Sequence, residues 1–301
     1  MPNLPRSKAS DFEPEVLSLF DQYVHGLIDR RGFLIGAARF AGTVGAVGLL
    51  AALSPRFAAA QQVKPGDERI STSYLEFDSP KGHGKGRGYL VRPAHAKGPL
   101  PVVLVVHENR GLNPHIEDIA RRLALANFIA FAPDALFPLG GYPGDEDAAR
   151  AMFGKLDQAK TREDFIAAAQ LLAGIKGGNE RLGVVGFCYG GGMANFLATR
   201  LPQVVAAAPF YGSPPPLEDV AKIKAELLVV LAATDERINT AWPAYGEALT
   251  AAGVHYQLFQ PPDTQHGFNN DTTPRYDEAA ANDAWSRTLA LFERTLRTPP
   301  R

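Results

Sequence analysis

The chain's one cysteine, Cys188, stands in the run Gly186-Phe187-Cys188-Tyr189-Gly190, followed by Gly191-Gly192. A nucleophile with glycine two residues away on either side marks a tight strand-to-helix turn, where side chains at those positions would collide. Such a turn sets the sulfur at a helix N-terminus, where unpaired N–H groups and the helix dipole favour the thiolate. A buried small residue in a glycine-rich turn would leave the same letters. A dinucleotide-binding loop would need G-x-G-x-x-G, which this turn lacks. A thiol nucleophile needs a base and an acid to orient it, expected in the order acid, then His. Asp235 follows the apolar run Leu227–Ala232, and His266 follows the run Tyr256–Phe259. Singly, Asp235 could be a helix N-cap and His266 a surface-loop residue. Three such residues in order, each behind its own strand, point to Cys-His-Asp acyl transfer.

The run Pro101–His107 ends in Glu108-Asn109-Arg110-Gly111. In this arrangement that loop supplies one oxyanion N–H, assigned to Asn109, and the residue after the nucleophile, Tyr189, supplies the other. Glu108 is read as hydrogen-bonding the Cys188 thiol and controlling its ionisation, against the alternative of a solvated loop charge. His107, at the strand end, is read as structural. His107, Glu108 and His115 are poorly spaced for a metal, so no metal and no cofactor is expected. A lone cysteine also excludes an internal disulfide, a cysteine-only zinc site and an Fe–S cluster.

These residues need strands to carry them. Tyr74–Phe77 and Tyr89–Arg92 flank a turn-rich stretch and predict an antiparallel hairpin. Pro101–His107, Phe128–Ala132, Arg181–Phe187, Val204–Phe210, Leu227–Ala232 and Tyr256–Phe259 read as strands, the most apolar of them buried on both faces. Helices are expected over Ile116–Ala126, Asp145–Leu156, Glu163–Ile175, Met193–Leu201, Trp242–Ala252 and Tyr276–Leu296. The alternation predicts an α/β fold with a mostly parallel sheet flanked by helices on both faces. Ligands bind such sheets at the carboxyl ends of the strands, where the candidate residues fall.

The composition is that of an ordinary globular protein: 301 residues, 46% hydrophobic, 21% charged, net charge −1. No basic stretch with interleaved aromatics suggests nucleic acid. Residues 1–60 read as an address instead. Arg30-Arg31-Gly32-Phe33-Leu34 precedes an apolar run to Leu53, and Ala58-Ala59-Ala60 gives a small-x-small exit. The pattern is similar to a twin-arginine export signal, cut near Ala60/Gln61. That leaves residues 61–301 as one domain, in the periplasm, delivered by the export machinery and without stable membrane insertion. A retained single-span anchor is the alternative. Asp11–Ile28 reads as an amphipathic helical stretch with no assigned role.

The elbow Gly186–Gly191, Asp235, His266-Gly267-Phe268 and the His107–Gly111 loop together resemble the dienelactone hydrolase family, over about Ser71–Leu296. The resemblance implies an α/β-hydrolase fold and a monomeric, cofactor-free Cys-His-Asp hydrolase of lactones or small esters. It also implies that the residue matching Glu108 holds the thiol until substrate arrives. Members that cleave dienelactones carry arginines shortly after the third-strand Asp and just past the catalytic His. Here Asp134–Gly140 and His266–Asp271 contain none. With Leu136, Phe137, Leu139, Tyr142 and Phe268 near the site, a neutral, moderately apolar ester or lactone is expected. Acyl transfer or thioester cleavage on the same triad, and a non-catalytic exported binding protein, are the rival readings.

Overall fold

The computed structural model describes residues 7–297; residues 1–6 and 298–301, at the ends of the two regions read from sequence, lie outside the described residues. The sheet is built from β1 (Ile70–Ser79), β2 (Gly84–Pro93), β3 (Leu100–Val106), β4 (Ile129–Pro133), β5 (Gly178–Phe187), β6 (Val204–Phe210), β7 (Glu226–Val230) and β8 (Tyr256–Phe259). Their spatial order is β1-β2-β4-β3-β5-β6-β7-β8. The first two pairings, β1/β2 and β2/β4, are antiparallel, and every later pairing is parallel.

The helices are α1 (Pro14–Val24), α2 (Arg30–Ala37), α3 (Gly45–Leu53), α4 (Phe57–Ala60), α5 (Pro114–Leu125), α6 (Glu146–Phe153), α7 (Gln158–Ala173), α8 (Tyr189–Arg200), α9 (Glu236–Asn239), α10 (Trp242–Ala251) and α11 (Glu278–Leu296). Along β3 the side chains alternate between two cores. Val102, Leu104 and Val106 join the core under α6, α7, α8 and α10, and Val103 and Val105 join the one under α5 and α11. Burial on both faces explains why β3 reads as an unbroken apolar run. Removing one such side chain, as in Leu104→Ala, would cost about 2–5 kcal/mol.

Local chemistry sets the helix starts. Asn113 Oδ1 accepts the Ile116 N–H at 3.2 Å, and Pro114 fills the first turn of α5. Helix α7 begins at Gln158, five residues before the expected Glu163, because the Asp157 carboxylate accepts the Ala159 and Lys160 N–H groups at 3.0 and 3.2 Å.

The N-terminal segment is folded onto this domain. Helices α1, α2 and α3 close a small core of their own around Val16, Phe20, Tyr23, Phe33, Leu50 and Leu53. The expected apolar run is broken: its two halves, Arg30–Phe40 and Gly45–Ala60, meet at 111°, and no single helix among the described residues is long and apolar enough to cross a membrane. Polar contacts attach the segment to the sheet domain. Asn109 Nδ2 and an Arg110 guanidinium nitrogen each donate to the Val24 carbonyl at 3.1 Å. Arg150 donates to the Tyr23 carbonyl and lies over the Tyr23 ring, 4.2 Å from its centroid. The Arg275 guanidinium lies 3.2 Å from the Asp21 carboxylate.

Candidate active site

Between β5 and α8 the backbone turns through Cys188 at φ 56° and ψ −112°. For a residue with a side chain this is a strained conformation, worth about 1–3 kcal/mol. The glycine spacing has the steric cause read from the sequence. A Cβ on Gly186 would sit 1.9 Å from the Gly190 carbonyl oxygen, and one on Gly190 would sit 2.2 Å from that of Val106. The turn is pinned by the Cys188 N–H donating to the Phe210 carbonyl at 3.0 Å. The sulfur therefore sits where α8 begins.

His266 and Asp235 meet from separate loops, with His266 Nδ1 2.5 Å from Asp235 Oδ2. Asp235 does occupy the N-cap position of α9, yet its carboxylate makes no capping bond and turns to the imidazole. His266 is buried rather than surface-exposed. Burial pushes the Cys188 thiol up, but the His266 charge and hydrogen bonding with His25 and His266 outweigh it and hold the thiol at about 6. Burial pushes His266 down, and the facing thiolate with the Asp235 bond overcomes this to bring it to about 9. The pair is thus poised as thiolate and imidazolium near neutrality.

A further histidine enters this site from the N-terminal segment. His25, the C-cap of α1, has Nε2 3.8 Å from Cys188 Sγ and 3.3 Å from His266 Nε2. Its Nδ1 lies 2.8 Å from the Asp21 carbonyl oxygen and 3.2 Å from the Asp21 carboxylate. That fixes the proton on Nδ1 and turns Nε2 toward the sulfur. Burial opposes protonation of His25, but the Asp21 hydrogen bond and the thiol outweigh it and raise its pKa. His25 was not singled out from the sequence. The available signal was the amphipathic stretch around it, whose buried face predicts a packing partner.

Around this centre some expectations are redrawn. The Glu108 carboxylate accepts from Asn270 Nδ2 at 3.0 Å, and Cys188 Sγ lies 3.8 Å from His25 Nε2. His107 is fully buried, and its Nε2 accepts the Ala135 N–H at 3.1 Å, as a neutral ring held down by burial does. The Asn109 side chain is committed to Val24 and Arg110. Among the described residues, neither the Asn109 nor the Tyr189 backbone N–H has an acceptor within the chain, which leaves both free for a ligand. Tyr211, missed in the sequence, packs its ring 4.8 Å from that of His266, and its buried hydroxyl has no partner.

Beside Cys188 a cavity of about 510 Å³ opens between His25, Tyr189, Phe196, Tyr211 and the Pro214–Pro216 wall. It is the size of a small-molecule site. None of the expected loop residues Leu136, Phe137, Leu139, Tyr142 and Phe268 lines it. Leu136 and Phe268 are fully buried and Tyr142 bonds to Glu146, whereas Arg162, Arg200 and Arg237 line the cavity from exposed positions. Leu136 and Phe268 pack into the core, while Phe137 is half-buried and Leu139 is exposed, away from this cavity.

The sequence model of the Dienelactone hydrolase family matches residues 87–296, and a second family model, YqhI-like, matches residues 4–42. An Escherichia coli K12 protein named "Putative hydrolase fragment YghX" is 52% identical over 112 residues, 37% of this chain and 96% of its own length. A "Putative carboxymethylenebutenolidase" from Synechocystis is 34% identical over 230 residues, 70% of this chain and 92% of its own. The crystal structure of a "Putative Dienelactone Hydrolase" from Klebsiella pneumoniae superposes with a TM-score of 0.65 at 31% identity, covering 74% of this chain and 98% of that one.

Proposed function

The chain belongs to the dienelactone hydrolase family and has the α/β-hydrolase fold, and on that premise we propose that it cleaves a lactone or small carboxylic ester through Cys188, His266 and Asp235. The observation that carries the reading is the 2.5 Å His266–Asp235 pair beside a cysteine held in a strained turn at a helix start. In this reading the Cys188 thiolate attacks the ester carbonyl. The oxyanion is held by the Tyr189 and Asn109 N–H groups. The His266 imidazolium, oriented by Asp235, protonates the departing alkoxide, leaving a thioester on Cys188. Neutral His266 then takes a proton from water, whose oxygen attacks the thioester. Collapse releases the carboxylic acid and returns the thiolate and imidazolium. Glu108, bonded to Asn270, shapes the loop that presents Asn109.

The cavity's mixture of aromatic wall and rim arginines favours an ester or lactone with an anionic end over the neutral substrate read from the loops. The test is a panel of p-nitrophenyl esters and lactones, with and without a carboxylate. Cys188→Ala is expected to lose turnover, and iodoacetamide to inactivate the parent by labelling that one thiol. Hydrolysis by Cys188→Ala at the parent rate would remove the assignment. Acyl transfer to an added alcohol or amine, outpacing hydrolysis, would favour the transferase reading.

We propose further that residues 1–60 direct export to the periplasm, on the support of Arg30-Arg31 before a small-residue apolar run, and that they stay attached afterwards, since α1 packs on the sheet domain and brings His25 to Cys188. Replacing both arginines with lysine should leave the protein in the cytoplasm; unaltered export would end this proposal.

A further inference from the structure

His25, Cys188 and His266 bring three potential ligand atoms to within 4.8 Å of one another. Both edges that involve His25 are close to those of a metal polyhedron. A tetrahedral zinc ion with ordinary Zn–N and Zn–S bonds has edges of about 3.3 Å between two nitrogens and about 3.6 Å between nitrogen and sulfur. The two Nε2 atoms lie 3.3 Å apart, and His25 Nε2 lies 3.8 Å from Sγ. Both imidazoles are also prepared as ligands. Each has its Nδ1 against a carboxylate, Asp235 at 2.5 Å for His266 and Asp21 at 3.2 Å for His25. Such outer carboxylates fix the tautomer and aim the other nitrogen at a metal. A thiolate with two imidazoles suits zinc and disfavours magnesium or calcium. One group stands against a cation: a guanidinium nitrogen of Arg237 is 3.0 Å from His25 Nε2. Arg237 is exposed and has solvent to turn into.

We propose that His25, Cys188 and His266 form a zinc site whose occupation fastens the N-terminal segment over the nucleophile and silences it. On binding, the sulfur lone pair and the two Nε2 lone pairs become metal bonds, and any protons on those atoms pass to solvent. The ion then holds both the attacking sulfur and the nitrogen that must carry a proton to the leaving group, and neither step can run. The ion also cross-links α1 to the turn before α8. The silencing half rests on the hydrolase reading above; the binding half does not.

The experiment uses the full chain, stripped of metal with EDTA. Cobalt(II) serves as a coloured probe, and zinc is titrated against a chelating dye. Expected are one ion per chain and a sulfur-to-cobalt charge-transfer band that Cys188→Ala removes. His25→Gln should weaken zinc binding by about tenfold or more, and Asp21→Asn, which leaves all three donors, by roughly tenfold. Arg237→Ala, which also keeps the donors, should tighten it by removing the neighbouring cation. One equivalent of zinc should suppress both hydrolysis and iodoacetamide labelling, with EDTA restoring both. Zinc affinity unchanged in His25→Gln, Asp21→Asn and Arg237→Ala alike, or absence of the charge-transfer band, would overturn the site. Faster hydrolysis with zinc would overturn the silencing. A chain that cleaves no ester yet shows the band and the zinc-protected thiol would sink the hydrolase reading and leave the metal site standing.

Discussion

At Cys188 two opposing effects meet. Burial favours the neutral thiol, and the imidazolium of His266 with the His25 contact favours the thiolate; the second wins by enough to bring the thiol to about 6. The same pairing raises His266 to about 9. In the proposed mechanism acylation needs the thiolate and the imidazolium together, so kcat/KM of the metal-free enzyme should rise as pH passes about 6 and fall as it passes about 9. The two limbs belong to the coupled pair rather than to either residue alone. A profile still rising above the upper limb would mean that His266 is not needed as an acid. Measurement of kcat/KM in EDTA across that range, with an ester whose leaving group does not titrate there, decides it.

Among elements, α1 has a position that its own propensity does not explain. It has eleven residues and no side-chain cap at its start, so in isolation it would be marginal. It is held by its buried face and by arginines of the sheet domain, Arg150 on the Tyr23 carbonyl and ring and Arg275 on Asp21. A ring-stacked, half-desolvated arginine contributes about 1–2 kcal/mol. Arg150→Ala should therefore let α1 open more often and speed iodoacetamide labelling of Cys188 by roughly 5–30-fold. Arg150 touches no reacting atom, so a labelling rate equal to the parent's would show that α1 does not shield the thiol.

For the whole molecule, net charge is close to zero at −1, and any steering must come from local charge. The cavity mouth supplies it. Arg162, Arg200 and Arg237 stand exposed around the opening, and the one carboxylate there, Asp219, is paired with Lys222. Exposed pairs are weak, under about 1 kcal/mol each, and are screened by salt. A carboxylated ester should thus lose kcat/KM as sodium chloride rises, by several-fold between about 0.01 and 0.5 M, while a neutral ester of the same length changes little. Equal salt dependence for the two would remove the rim arginines from substrate capture.

The strand-helix alternation, the elbow at Cys188 and the places of Asp235 and His266 were all legible in the sequence, because their causes are local. A two-residue period buries β3, a Cβ on Gly186 or Gly190 would strike backbone, and strand ends deliver their loops to one edge of the sheet. The direction of the loop side chains was not legible. Leu136 and Phe268 look like pocket residues in sequence and are core residues in space, and Glu108 turns to Asn270. Least legible was His25, which lies 163 residues from Cys188 in a segment whose composition reads as an address. Composition and periodicity report what a residue does with its near neighbours. Which surface α1 covers depends on the shape of that surface and on where Arg110, Arg150 and Arg275 stand to receive it, and only the folded chain brings those together.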